Sequence, residues 1–407
     1  MTDSAPRRAF LTGCGTISPL GCSVSDFWQG LVNGRSGLAP IRSFDTAGLG
    51  HTLAGEVAGF VPADRHLSRS DVGRLDRIGQ YALAAARAAL ADAHLDLAKT
   101  NRTRVGVIAA TTLGSMPLGE AYLQSRQDDS DFDARRLLHV PYAATATRLA
   151  RTLAVRGPVI SPSIACASGT HAVGLALELI QCGHADVVVA GGAEILCRFV
   201  VAGFNSLRAT TPDTVRPFDA RRNGLAIGEG AAMLIVESEA HARGRGAPLE
   251  IEVAGSGLSS DAVHMTAPAR DGAGAARAMR AALRAARVAA HQVDFISAHG
   301  TGTVYNDAME MAAIATVFGE AAPRVPVNSI KGAIGHTLGA AGSFEAVMCM
   351  RVLRDGVVPP TAGCEQLDPS CRLDVVHGAA RRVPVRTVLS TSSAFAGNNA
   401  TIVLRRA

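Results

Sequence analysis

One cysteine, two histidines and one lysine in this 407-residue chain have the types and settings that chemistry needs. Cys166 lies in SIACASGTHAVG, Ser163 to Gly174, between an apolar run that reads as a strand and a small-residue run that reads as a helix. At that junction the unpaired N–H groups and the dipole of the helix start favour a thiolate and offer a nearby oxyanion site. Ala165, Ala167, Ser168 and Gly169 leave room for a substrate to approach. His299 opens HGTGT after the strand-like VDFISA, and His336 lies in NSIKGAIGHTLGAAG after VPVNSI. Loops beyond strand ends are where open α/β sheets carry their chemistry. Lys331 stands out for another reason: apart from it and Lys99, every one of the 40 Lys and Arg residues is arginine. Lysine is a compact ammonium that can be buried and tuned, so its presence in an apolar, Gly-rich segment reads as functional. The eight cysteines form no C-x-x-C pair. They show no metal-finger spacing, which argues against zinc, and the cysteines other than Cys166 read as small buried hydrophobes.

The elements that position these residues follow from periodicity. Strands are expected at Arg8–Leu11, Val105–Ala109, Asp186–Ala190, Val293–Ala298 and Val325–Ser329, with GCGTISPLG read as a loop after the first. Helices are expected at Val24–Leu31, Arg74–Ala91, Gly169–Ile180, Gly274–Ala290 and after Gly339. The charged stretch Arg126 to Arg136 reads as a solvated excursion. Strands alternating with helices predict an α/β body with a largely parallel, covered sheet. A second series begins near Leu249, which divides the chain into two similar halves, 1–248 and 249–407.

Composition narrows the function classes. Residues are 48% hydrophobic but only 4% aromatic, and 42 are glycine, which favours close helix-on-sheet packing. The net charge of +5 is spread out, with no basic run interleaved with aromatics, so nucleic acid is not indicated. No apolar stretch is long enough to span a bilayer, and the lead MTDSAPRRAFLTG has no signal-peptide pattern; a cytoplasmic protein is expected. GCGTIS begins like a dinucleotide fingerprint, but Ser18 stands where the third glycine belongs, and no phosphate-binding P-loop occurs.

From LTGCGTISPLG through ACASG, GGAE, RPFDARRNGLAIGEGAAMLIVE, SSDAVHMTAP, AHGTGT and NSIKGAIGHTLGAAG to SSAFAGNNA, the chain resembles the β-ketoacyl-acyl carrier protein synthases of the elongating Cys-His-His type. The resemblance implies the thiolase fold, two similar halves in a five-layer α/β/α/β/α stack, with no cofactor and no metal. It makes Cys166 the acyl-accepting nucleophile, His299 and His336 the paired histidines and Lys331 the family's lysine, paired with Glu310. Asp307 and Glu310 are the acidic residues after the H-G-T motif, and Phe395 is the gating phenylalanine. Leu113, Phe204 and Ser393 fall along the acyl tunnel and gate, and Arg74 and Arg208 at the carrier-docking surface. The implied partners are acyl- and malonyl-loaded acyl carrier protein, and a second subunit in a homodimer or a heterodimer with a chain-length-factor-like chain.

Where the family commonly has G-F-G-G, this chain has Ala394-Phe395-Ala396-Gly397, and Ser393 replaces a bulky aromatic. Alanine narrows backbone freedom, and the smaller Ser393 leaves room for a rigid or wide acyl chain. These departures point toward polyketide, aryl-polyene or related specialised synthesis, with housekeeping fatty-acid elongation as the alternative. Three related roles are weighed against single residues. Intact Cys166 counts against a silent chain-length partner. The absence of a second cysteine in the C-terminal loop counts against a thiolase. His336, where starter-unit synthases have asparagine, counts against that class.

Overall fold

Nine consecutive buried residues, Ala9–Ile17, form the first strand, β1, which GCGTI continues rather than ending in the expected loop. The reason lies in the helix above it, α1 (Arg77–Asp92). A Cβ on Gly13 would stand 2.4 Å from the carbonyl oxygen of Ala89, and one on Gly15 2.1 Å from that of Ala85. These glycines therefore serve close helix-on-strand approach, and no phosphate loop exists here. The structure is a computed structural model describing residues 7–407. Met1–Pro6, the polar lead of the sequence, lie outside the described residues.

After β1 come β2 (Val105–Ala110), helix α2 (Ala143–Thr152), β3 (Val159–Ile160), α3 (Ser168–Gln181), β4 (Val187–Glu194) and β5 (Gly230–Ser238). The second series is β6 (Ile251–Ser260), α4 (Ala273–Ala286), β7 (Phe295–Ser297), α5 (Val304–Phe318), β8 (Pro326–Asn328), α6 (Ala341–Asp355), β9 (Asp374–Val375), β10 (Thr387–Ser393) and β11 (Asn398–Arg406). Across the sheet the strands run β9-β8-β7-β10-β11-β6-β1-β5-β4-β2-β3.

That order exposes a repeat which matching residues along the sequence does not. Leaving aside short β9, each half places its strands as third, second, fourth, fifth, first. In each, the second strand pairs parallel with the third and fourth, while the fifth runs antiparallel to the fourth and first. The sheet is therefore mixed and not largely parallel; in the second half a tight reversal at Ala394–Gly397 joins β10 to β11 as a hairpin. Even the close packing recurs: Gly255 and Gly257 of β6 lie under Ala-rich α4 as Gly13 and Gly15 lie under α1.

Helices α1 and α2 cover the outer face of the first half, and α4 and α5 that of the second. Between the two halves of the sheet run α3 and α6, each touching strands of both halves. This gives the five α/β/α/β/α layers of the thiolase fold. The two central helices cross at their N-terminal turns, where a Cβ on Gly169 would meet Ser343 N at 2.7 Å and one on Gly342 would meet Thr170 N at 2.3 Å. One apolar core accordingly draws on both halves, with Val173, Ala176 and Leu177 beside Phe344, Val347 and Met348. Arg126 to Arg136 is exposed apart from half-buried Phe132. Among the described residues no helix is long and apolar enough to cross a membrane.

Candidate active site

The chain leaves β3 extended and turns sharply at Ala165, whose φ of +52° is disfavoured for a residue with a Cβ. Ser168 holds this elbow: its hydroxyl accepts from Ile164 N at 2.8 Å and donates to the Ala165 carbonyl at 2.6 Å. Cys166 stands at the apex, two residues before α3 begins. The backbone N–H groups of Phe395 and of Cys166 itself point at its sulfur. The thiol is nevertheless not a resting thiolate. Burial pushes it up to about 12, outweighing Lys331 and the two N–H donors, which pull the other way. The loss of water around this 6% exposed side chain is the largest influence on the thiol.

His299 and His336 come from the second half. The HGTGT loop is held from below by two carboxylates on α5. Glu310 accepts from the N–H of His299 at 2.6 Å and of Gly300 at 2.7 Å. Asp307 accepts from Thr301 and Gly302, and from Phe218 of the RPFD segment at 2.8 Å. His336 is clamped through its backbone, which receives Gly228 N–H at 2.9 Å and gives its own N–H to Ala226 at 2.7 Å. The LAIG stretch thus positions the second histidine. The rings meet edge to face, centroids 5.1 Å apart at 83°. The donor atoms of Cys166, His299 and His336 all lie within 4.8 Å of one another. Burial, and secondly the charge of Lys331, holds both imidazoles neutral, well below the usual histidine range. Each Nδ1 is buried without a partner.

Lys331 does not pair with Glu310, whose two oxygens are taken by the loop N–H groups. Its ammonium, 1% exposed, donates to the His299 carbonyl and, at 2.6 Å, to Glu345 of α6. Glu345 also accepts from Ser392 at 3.2 Å, and Ser392 shares a 2.7 Å hydrogen bond with Thr170 of α3. A continuous polar chain therefore ties the His299 loop to the helix that follows Cys166. The sequence reading missed Glu345; its only signal is an acid amid the apolar run GSFEAVMCM. It also passed over Glu194, the last residue of GGAE. Fully buried, Glu194 accepts from Gly339 N at 3.1 Å and from Thr112 N, bracing the loop beyond His336, and burial raises it to about 7.

A cavity of about 310 Å³ opens onto this cluster. Cys166, His299, His336, Ser393 and Phe395 lie on its wall, together with Arg208, Thr301, Thr303 and Tyr305. Phe204 and Phe395 stack in it, centroids 5.5 Å apart at 17°. Leu113 does not line this cavity; it packs behind, in an apolar cluster with Cys166, Leu196, Cys197 and Val200. Arg208 is exposed at the cavity, whereas Arg74 ends the helix Arg69–Arg74 and is not among the lining residues. Ala396 adopts φ +61°, a left-handed conformation in which a glycine is unstrained and an alanine is not.

An acyl thioester carbonyl seated over Cys166 finds two N–H donors, and a second thioester carbonyl beside the imidazoles finds two more. The chain matches the family described as β-ketoacyl synthase, N-terminal domain, over residues 7–242 and the corresponding C-terminal domain over residues 251–365. It is 38% identical to 3-oxoacyl-[acyl-carrier-protein] synthase 2 of Coxiella burnetii, covering 98% of this chain and 99% of that one. Among solved structures it is similar to the ishigamide ketosynthase/chain length factor (41% identity, 98% and 99% coverage, TM-score 0.93). It is also similar to a type II polyketide ketosynthase in complex with its acyl-carrier protein, AntDE:AntF (32% identity, 99% and 100% coverage, TM-score 0.91).

Proposed function

This chain belongs to the β-ketoacyl synthase family, and we propose that it condenses a carrier-bound acyl group with malonyl-acyl carrier protein, in polyketide or related specialised synthesis. The observation that carries this reading is the meeting of Cys166 with two neutral histidines on the wall of one cavity. The Cys166 sulfur attacks the acyl thioester; the oxyanion is received by the N–H groups of Cys166 and Phe395, and the carrier thiol leaves with the proton. A malonyl thioester then enters. Its carbonyl oxygen accepts from the His299 and His336 N–H groups, which stabilise the enolate formed as carbon dioxide departs. The enolate carbon attacks the acyl-cysteine carbonyl, the C–S bond breaks, and 3-oxoacyl carrier protein is released as the expelled Cys166 thiolate takes up a proton from solvent.

Neutral imidazoles suit this task, because they donate without bringing a charge into a buried site. Lys331, Glu345, Glu310 and Asp307 act as positioning residues for the two loops. Arg208 meets the acidic carrier, the second subunit is a copy of this chain or a chain-length-factor-like partner, and the reaction takes place in the cytoplasm. The gate supports a specialised over a housekeeping substrate: Ser393 occupies little volume beside Phe395, and Ala396 stiffens the loop through its left-handed backbone. Intact-protein mass after exposure to a graded panel of acyl-carrier thioesters tests this. Adducts on Cys166 with wide or rigid chains are expected; loading restricted to slender saturated chains would return the protein to fatty-acid elongation.

A further inference from the structure

Ser393 is 7% exposed, lies on the wall of the catalytic cavity, and has a hydroxyl that is buried without any hydrogen-bond partner. Its neighbour Ser392 differs completely, being bonded to Thr170 and Glu345. A buried hydroxyl left unpaired is disfavoured, so an orphan on the wall of a substrate cavity is free to take a bond from the bound substrate. Ser393 stands two residues from Phe395, whose N–H points at the Cys166 sulfur. Two residues span at most about 7 Å, so Ser393 stands in the neighbourhood of the acyl-cysteine carbonyl. A saturated chain offers nothing to this hydroxyl there. An oxygen on C3 does.

We propose that Ser393 is a specificity-determining residue that hydrogen-bonds an oxygen near C3 of the acyl group, so that the preferred substrates are 3-oxo- or 3-hydroxyacyl thioesters rather than fully reduced ones. This rests on the condensation reading above and deepens it. The reaction that supplies the substrate is then a previous condensation or a single carbonyl reduction, with no dehydration and second reduction between rounds.

The test uses the full chain with octanoyl, 3-hydroxyoctanoyl and 3-oxooctanoyl groups on one acyl carrier protein, following Cys166 adduct mass in single turnovers. Ser393→Ala is expected to lower the ratio of oxygenated to saturated loading efficiency roughly 5- to 20-fold, the loss of one hydrogen bond to a buried partner. Ser393→Thr, which keeps the hydroxyl, is expected to retain most of that preference. An unchanged ratio in Ser393→Ala would overturn the proposal. So would a change confined to the KM for malonyl carrier, which would assign the hydroxyl to the extender carboxylate instead. Failure of the wild-type protein to condense any of the three chains would instead refute the condensation reading, so the two failures are distinguishable.

Discussion

Replacing Lys331 by methionine probes the polar chain that joins the two halves of the site. In the wild-type protein the ammonium faces Glu345 at 2.6 Å, with both side chains 1% exposed. Removing one partner of such a pair leaves an uncompensated buried carboxylate, worth about 3–5 kcal/mol of stability at a pH where it stays ionised. At about 2.1 cal/mol/K per residue, unfolding 407 residues carries an entropy near 0.85 kcal/mol/K, so Tm falls by roughly 4–6 °C. The loss depends on pH. Burial already raises the Glu345 carboxyl, and Lys331 opposes that; without the cation it rises further. Between the unfolded value and the raised folded one, the folded state holds a proton that the unfolded state has released. Stability therefore falls as pH rises through that window, by up to about 1.4 kcal/mol per unit. Scanning calorimetry of both proteins from pH 6 to 8.5 should show the deficit widening upward, and the double variant Lys331→Met, Glu345→Gln should recover more than half of it. A deficit that is equal at every pH, or a double variant as unstable as the two losses added, would refute the reasoning.

Cys166→Gln is expected to abolish condensation while carbon dioxide release from malonyl carrier continues, measured by isotope release; residual condensation above background would remove the nucleophile. Arg208→Glu should raise the KM for carrier-bound substrate about 3- to 10-fold, more than Arg74→Glu does, while a small pantetheine thioester reacts equally well with either variant. Because Cys166, His299 and His336 are also zinc-ligand types within 4.8 Å of one another, prolonged chelation is a necessary control. Condensation should survive it, and a loss reversed by added zinc would reassign the trio.

The parts of this site that are legible in the sequence are those where local chemistry and local structure coincide. A thiol among small residues between a strand and an apolar helix, and histidines just past strand ends, each lie within one short segment. What is illegible depends on how segments cross. Glu310 lies 11 residues beyond His299 and takes the backbone of its loop, leaving Lys331 to Glu345, an arrangement set by where α6 passes the His299 loop. The GCG of β1 looks like a loop until the Ala-rich helix above it is placed. The antiparallel pairs in each half escape an argument from strand–helix alternation because hairpins such as β10–β11 insert no helix. The protonated state of Cys166 is likewise a product of burial, which no helix-start argument measures.

The central claim is a division of labour, with acyl capture at Cys166 and decarboxylation at the histidine pair, and it is tested most directly by single-turnover analysis of His336→Ala, supplied first with acyl carrier and then with malonyl carrier. The acyl adduct on Cys166 should form, since both oxyanion N–H groups remain, while carbon dioxide release drops about 10²- to 10³-fold, the usual effect of losing one oxyanion donor. Release at the wild-type rate from a fully acylated variant would contradict the account.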